Sequence, residues 1–155
     1  MEKERTDIEV LQDNLASIRK VAGWTLEEFG RQVGVTKQTM NNIEMKKTPM
    51  SKPIYMAIML VLAHETEKNK DNTLLAQVVD LVTTKAKELN NEEYEELRTM
   101  IATIAFSAAG GVSQRSNQTN LNAMLKGIGK AGLVGVATFG AVKIVEMLFK
   151  KINDE

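Results

Sequence analysis

Cysteine is absent from this chain of 155 residues, which excludes a disulfide scaffold and a thiolate metal site. The absence suits a reducing compartment, and a cytoplasmic protein is the expectation. Proline occurs twice, and the aromatic residues are limited to four Phe, two Tyr and one Trp. With strand signals this rare, an all-α fold is predicted. The single histidine, His64, has no cysteine to work with, and reads as a polar residue near a helix C-terminus. No grouping of carboxylates, His and Ser suggests catalysis, and no glycine-rich phosphate loop is present. The reading is therefore a protein that is not an enzyme and needs no cofactor or metal. Residues 1–7 (MEKERTD) are polar after Met1 and no apolar run follows, so no signal peptide is predicted.

Net charge is also lacking: 20 Lys and Arg balance 20 Asp and Glu. The balance hides an uneven distribution. Residues 15–55 carry seven cations against three anions, residues 66–110 five against eight, and residues 111–155 six against three. A mildly basic head thus precedes an acidic middle. Such a head suits a polyanionic partner, although the same charges would serve equally as solvated surface.

What the chain does have is helical periodicity. Ile8, Leu11, Leu15, Ile18 and Ala22 alternate at three and four residues, one apolar face of a helix over about 7–22. Thr6 with Glu9 makes a capping box before it, and Gly23 ends it. Thr25 with Glu28 opens a second helix, running to about Val33 and stopped by Gly34. Thr36 caps a third, to about Lys46. Thr48-Pro49 breaks the chain, and Pro53 leads a fourth helix through Ile54, Ile58, Met59 and Leu62. The polar stretch 64–72 (HETEKNKDN) reads as a linker. Leu75, Val79, Val82, Ala86 and Leu89 then form one stripe, and Tyr94, Leu97, Ile101, Ile104 and Ala108 another. A capping box at Asn90 and Glu93 lies between them. An antiparallel hairpin is predicted, with stripes too narrow to bury more than each other. It needs a further partner: the head, the tail or a second subunit.

Residues 26–45 concentrate an unusual number of constraints. Leu26, Phe29, Val33, Met40 and Ile43 are apolar where two short crossed helices must touch. Gly30 is small where the helices approach, Gly34 permits a positive φ in the turn, and Val35 plugs the space between. A solvated helix in an ordinary bundle would not require Gly30, Gly34 and Val35 together. On these positions the stretch LASIRKVAGWTLEEFGRQVGVTKQTMNNIEMKKTPM, within residues 11–65, resembles the Cro/repressor-type (XRE) helix-turn-helix family. The resemblance implies a lambda-repressor-like domain of four to five helices. It also implies a sequence-specific regulator of transcription, in the manner of a repressor. The helix over 36–46 would lie in the major groove of double-stranded DNA.

In that family an early arginine and a late glutamate commonly pair inside the domain, and they map to Arg19 and Glu44. Two positions depart from the pattern. Leu26 stands where a polar side chain often reaches a phosphate. Met45-Lys46 stands where Asn-Gly or Arg-Gly often follows the glutamate. By side-chain chemistry Lys37 and Gln38 enter the groove first, as donors to guanine and as a bidentate partner of adenine. Thr39, Asn41 and Asn42 complete the candidate base contacts. Thr25, Arg31, Lys46, Lys47 and Lys52 are the candidate phosphate contacts. Trp24 reads as a core plug rather than a stacking platform, and the nine methionines mostly as core filler.

The expected organisation is a DNA-binding domain over 1–65, a helical hairpin over 66–111 that serves oligomerisation, a polar linker over 112–122, and a glycine-rich apolar helix over 123–155. One head alone would bind weakly. A homo-oligomer through residues 72–108 or 123–152 is therefore expected, with two half-sites about one helical turn apart. The charge-free run 131–142 is short of the roughly 20 apolar residues of a membrane span. Its small residues at 127, 131 and 135 suit a protein interface or a membrane surface. The competing functional reading is accordingly a protein- or membrane-interaction module, or an antitoxin or plasmid-maintenance regulator, working through that tail.

Overall fold

The computed structural model describes residues 4–109, where every regular element is helical. The elements are α1 (Asp7–Ala22), α2 (Leu26–Val33), α3 (Lys37–Glu44), α4 (Lys52–Lys68), α5 (Thr73–Asp80) and α6 (Asn91–Ala109). A π-helical turn (Leu81–Lys85) and a 3-10 turn (Ala86–Glu88) continue α5. The all-α expectation holds. The polar linker over 112–122 and the apolar helix expected over 123–155 lie outside the described residues.

Helix starts follow the local chemistry read from the sequence. The Thr6 hydroxyl accepts from the Glu9 amide while the Glu9 carboxylate accepts from the Thr6 amide. Thr25 and Glu28 form the same reciprocal pair, and so do Asn90 and Glu93. The Thr36 hydroxyl accepts from the Thr39 amide at 3.0 Å. Each of these caps satisfies amide donors that the first helical turn leaves without partners. The hydrogen bond from the Thr25 backbone, more than any other influence, holds the exposed Glu28 carboxyl below its ordinary range.

Two helix ends differ from the sequence expectation. Helix α4 runs on to Lys68, so HETEK is the end of a helix and only residues 69–72 connect it to α5. His, Glu and Lys are adequate helix formers when one face is buried, and here Ala63 and Thr66 face inward. Helix α3 stops at Glu44 rather than Lys46. Lys46 sits at φ 59°, and the amides of Lys46 and Lys47 turn back to the carbonyls of Ile43 and Asn42. That is a Schellman stop with lysine in the left-handed position where glycine usually sits. For a side chain that conformation costs about 1–2 kcal/mol.

The hairpin is also built differently. The first leg is α-helical only to Asp80. The Thr83 and Thr84 hydroxyls then bond back to the carbonyls of Val79 and Asp80, at 2.7 and 2.6 Å, as the ladder widens into the π turn. Nor do the two stripes chiefly bury each other. Helix α6 lies along α1, and α5 with its π turn also packs on α1. Leu75, Val79, Leu97 and Ile101 consequently share one hydrophobic cluster with Leu11, Leu15, Ile18, Met40 and Ile58. The partner that the narrow stripes required is the head of the same chain. Asn72 fastens this junction: its side chain donates to the Val21 carbonyl at 3.1 Å and caps the Leu75 amide.

The turn between α2 and α3 is the tightest steric feature. Gly34 sits at φ 91°, and a Cβ added at Gly30 would lie 2.8 Å from the Val35 carbonyl oxygen and 3.2 Å from that of Thr36. Those neighbours are backbone, so relief requires moving the turn. Gly30→Ala is expected to destabilise by about 2 kcal/mol, overpacking outweighing the gain in helix propensity. The thermal midpoint should then drop by roughly 10 °C. An unchanged midpoint in a circular-dichroism melt would show that the turn has slack.

Candidate nucleic-acid interface

Helix α3 is held from below and open above. Met40 and Ile43 are fully buried, Phe29 of α2 is buried beside them, and Val35 and Leu26 pack against the same core. Leu26 thus packs as its place among the apolar positions between the helices implied. Trp24 stands partly buried with its ring centroid 5.3 Å from that of Phe29, the plug that was expected. On the opposite face Lys37 and Gln38 are exposed, while Thr39, Asn41 and Asn42 are half-buried. The Gln38 amide donates to the Asn42 carboxamide oxygen at 3.0 Å, one helical turn along. The Thr36 hydroxyl donates to that of Thr39 at 2.9 Å. These five candidate base-contacting residues share one short helix, and two of them are already held as a pair.

The candidate phosphate contacts divide by what already engages them. Thr25 is exposed but its oxygen caps α2. Arg31 pairs loosely with Glu27 at 3.6 Å, both side chains being well exposed, so the pair contributes little. Lys47 is exposed and forms no ion pair among the described residues. Lys52 is half-buried in the first turn of α4. Lys46 differs, because its ammonium forms an ion pair with the Asp13 carboxylate on α1. Part of its charge is therefore neutralised from within.

The ion pair of Arg19 and Glu44 is a geometric fact. The guanidinium donates to both carboxylate oxygens, at 2.6 and 3.3 Å, and to the Trp24 carbonyl at 2.9 Å. The side chains are 14% and 5% exposed, so solvent screens the pair little. It ties α1 to both the last turn of α3 and the entry to α2.

Sequence reasoning missed a second tie. Gln12 is buried and uses its whole amide. It donates to the carbonyls of Ile43 at 3.0 Å and Thr48 at 2.8 Å, and accepts from the Met50 amide at 3.1 Å. The signal was available: Gln12 lies four residues after Ile8 and three before Leu15, a polar residue inside the apolar stripe of α1. Beside it, Asp13 accepts from the Tyr94 hydroxyl of α6 at 2.8 Å.

Burial raises both tyrosines. The Tyr55 phenol is pushed up to about 12 by burial first, with the Asp7 carboxylate adding to it. The Tyr94 phenol is raised too, by burial and then by Asp13. A phenol with a raised folded value contributes stability that is fully present below the ordinary value of 10.0 and is lost as pH rises through the folded value. Stability should therefore decline from pH about 10 to about 12. Followed by phenolate absorbance, neither of the two tyrosines should titrate near 10.0 while the chain stays folded. One tyrosine ionising at its ordinary value in the folded chain would contradict this.

Among the described residues no group of His, Asp and Glu could hold a metal ion, and no helix is long and apolar enough to cross a membrane. The small-residue run at 127, 131 and 135 lies outside the described residues. Comparisons with protein-family models, curated proteins and solved structures find no match to this chain.

Proposed function

We propose that the chain is a sequence-specific double-stranded DNA-binding protein, a transcriptional regulator of the Cro/repressor type that places α3 in the major groove. The observation that carries this reading is the α2–turn–α3 unit. Its backbone closes to a distance only glycine allows at position 30, and it leaves a polar face on which Lys37 and Gln38 are exposed and Thr39, Asn41 and Asn42 half-buried. A helix held this firmly on one side and this rich in amides on the other suits the reading of base edges. The Gln38–Asn42 pair would act as one unit against an adenine. Lys47, Lys37 and Arg31 supply the mobile positive charge around it, and Lys46 supplies less because Asp13 holds it.

Fluorescence-anisotropy titration of the full chain against genomic fragments, at several salt concentrations, tests the proposal. Affinity should fall with salt in proportion to the phosphates neutralised. Gln38→Ala should flatten sequence preference, with about 1–3 kcal/mol lost on the preferred site and little on random DNA. Lys47→Ala should weaken all sequences alike and reduce the salt slope by about 1. Absent or salt-insensitive binding removes the proposal. Identical behaviour of the two variants removes the assignment of Gln38 to the groove.

A further inference from the structure

We propose that α6 sets the shape of the exit from α3, acting through Tyr94, Asp13 and Lys46 as positioning residues. Two helices and the exit turn of α3 meet at one carboxylate. Asp13 of α1 accepts from the Tyr94 hydroxyl at 2.8 Å with one oxygen and from the Lys46 ammonium with the other. Lys46 is the only non-glycine residue with positive φ among the described residues, so its turn requires something to hold it. Gln12 holds the backbone of that turn at Ile43, Thr48 and Met50, and Asp13 holds its side chain.

Tyr94 is itself fixed. Its ring is buried, and the Arg5 guanidinium lies over it at 4.2 Å while bonding the Leu89 carbonyl and the Asn91 side chain. The start of α6 is thereby fastened to the residues preceding α1 as well as to Asp13. The junction forms one wall of a cavity of about 580 Å3 that also reaches Pro49 and Arg98. The exit turn is therefore shaped on one side by α6, an element beyond the stretch that resembles a helix-turn-helix domain. Lys47, the exposed candidate for a phosphate, follows that turn directly. Its placement depends on whether α6 is docked. The consequence for DNA rests on the functional reading above; the coupling from Tyr94 to Lys46 does not.

Hydrogen exchange on the full chain tests the coupling. Tyr94→Phe keeps the ring and the Arg5 contact and deletes only the hydroxyl. Exchange of the Lys46, Lys47 and Thr48 amides, taken relative to the core amides of Leu15 and Leu62, should rise roughly three- to tenfold. Met100→Ala, in the same helix and buried but away from the relay, should speed loop and core together and leave that ratio unchanged. In a Lys46→Gly background, where no ammonium remains to be held, Tyr94→Phe should no longer change the ratio. A ratio that ignores Tyr94→Phe, or that responds equally in both backgrounds, overturns the coupling. In parallel, Tyr94→Phe should weaken binding to a random duplex roughly threefold if Lys47 meets a phosphate. Should the unmodified chain bind no DNA, the functional reading fails while the exchange ratio still decides the coupling.

Discussion

Arg19→Met is expected to destabilise the protein by about 3 kcal/mol, because it leaves the Glu44 carboxylate buried without its counter-charge. The carboxylate is 5% exposed and takes both of its close contacts from this guanidinium. Water cannot replace them without opening the joint between α1 and α3. The informative measurement adds Glu44→Met. A buried pair replaced on both sides loses its Coulomb attraction and its desolvation cost together. The double variant should therefore be more stable in urea than Arg19→Met alone, with a coupling of about 1–3 kcal/mol in the cycle. Additive losses would mean that the two residues stabilise the fold separately, and that the 2.6 Å contact carries no coupling. The Trp24 carbonyl also loses a donor in Arg19→Met, so some of the loss will persist in the double variant.

Gln12→Leu is the second large effect, expected at about 2–4 kcal/mol. Leucine fills a similar volume, so the loss reports on hydrogen bonding rather than on a void. Three backbone groups lose their side-chain partner: the carbonyls of Ile43 and Thr48 and the amide of Met50. Ile43 keeps the Lys46 amide, so the damage concentrates at Thr48 and Met50. Gln12→Glu makes a sharper contrast. The carboxylate could still accept from Met50 but would face two carbonyl oxygens with no proton to offer. At neutral pH it should cost at least as much as leucine. Buried against acceptors, this carboxyl would have a raised folded pKa. Its contribution would be present at low pH and lost as pH rises through that value, so the variant should recover relative to Gln12→Leu on acidification. A Glu variant that tracks the Leu variant at every pH would show that the side chain has turned away from the carbonyls.

The two effects also separate what holds α3 from what α3 presents. Arg19, Gln12 and Gly30 fix the position of its backbone, whereas Lys37 and Gln38 are exposed and contribute little to the fold. If α3 enters the major groove as proposed, variants of the first set should lose stability and DNA binding together. On the same reading, variants of the second should lose DNA binding with melting curves intact.

Residues 4–64 were largely legible because their information is local. A Thr cap with an acidic residue three positions on speaks to its own helix turn, and both such boxes predicted in this stretch are formed. Apolar spacing then gave the face each helix buries, and the Arg19–Glu44 pair followed from a resemblance that places both residues on touching helices. The end of α3 was legible only in part. Glycine was missing where a left-handed stop would announce itself, and Lys46 adopts that conformation with Asp13 holding its side chain.

The sequence by itself determined that these segments are helices, where most of them start, and which side of each is apolar. Those are matters of backbone capping and of periodicity within one turn or two. Tertiary structure alone decided that the hairpin docks on α1, that α5 loosens into a π turn, and that Gln12 spends its amide on the loop after α3. It also brought Tyr94 to Asp13 across 81 positions of sequence. An amphipathic stripe records that a face must be covered and says nothing of what covers it. That choice belongs to the packing of whole helices, and here it joined the second half of the described chain to α1.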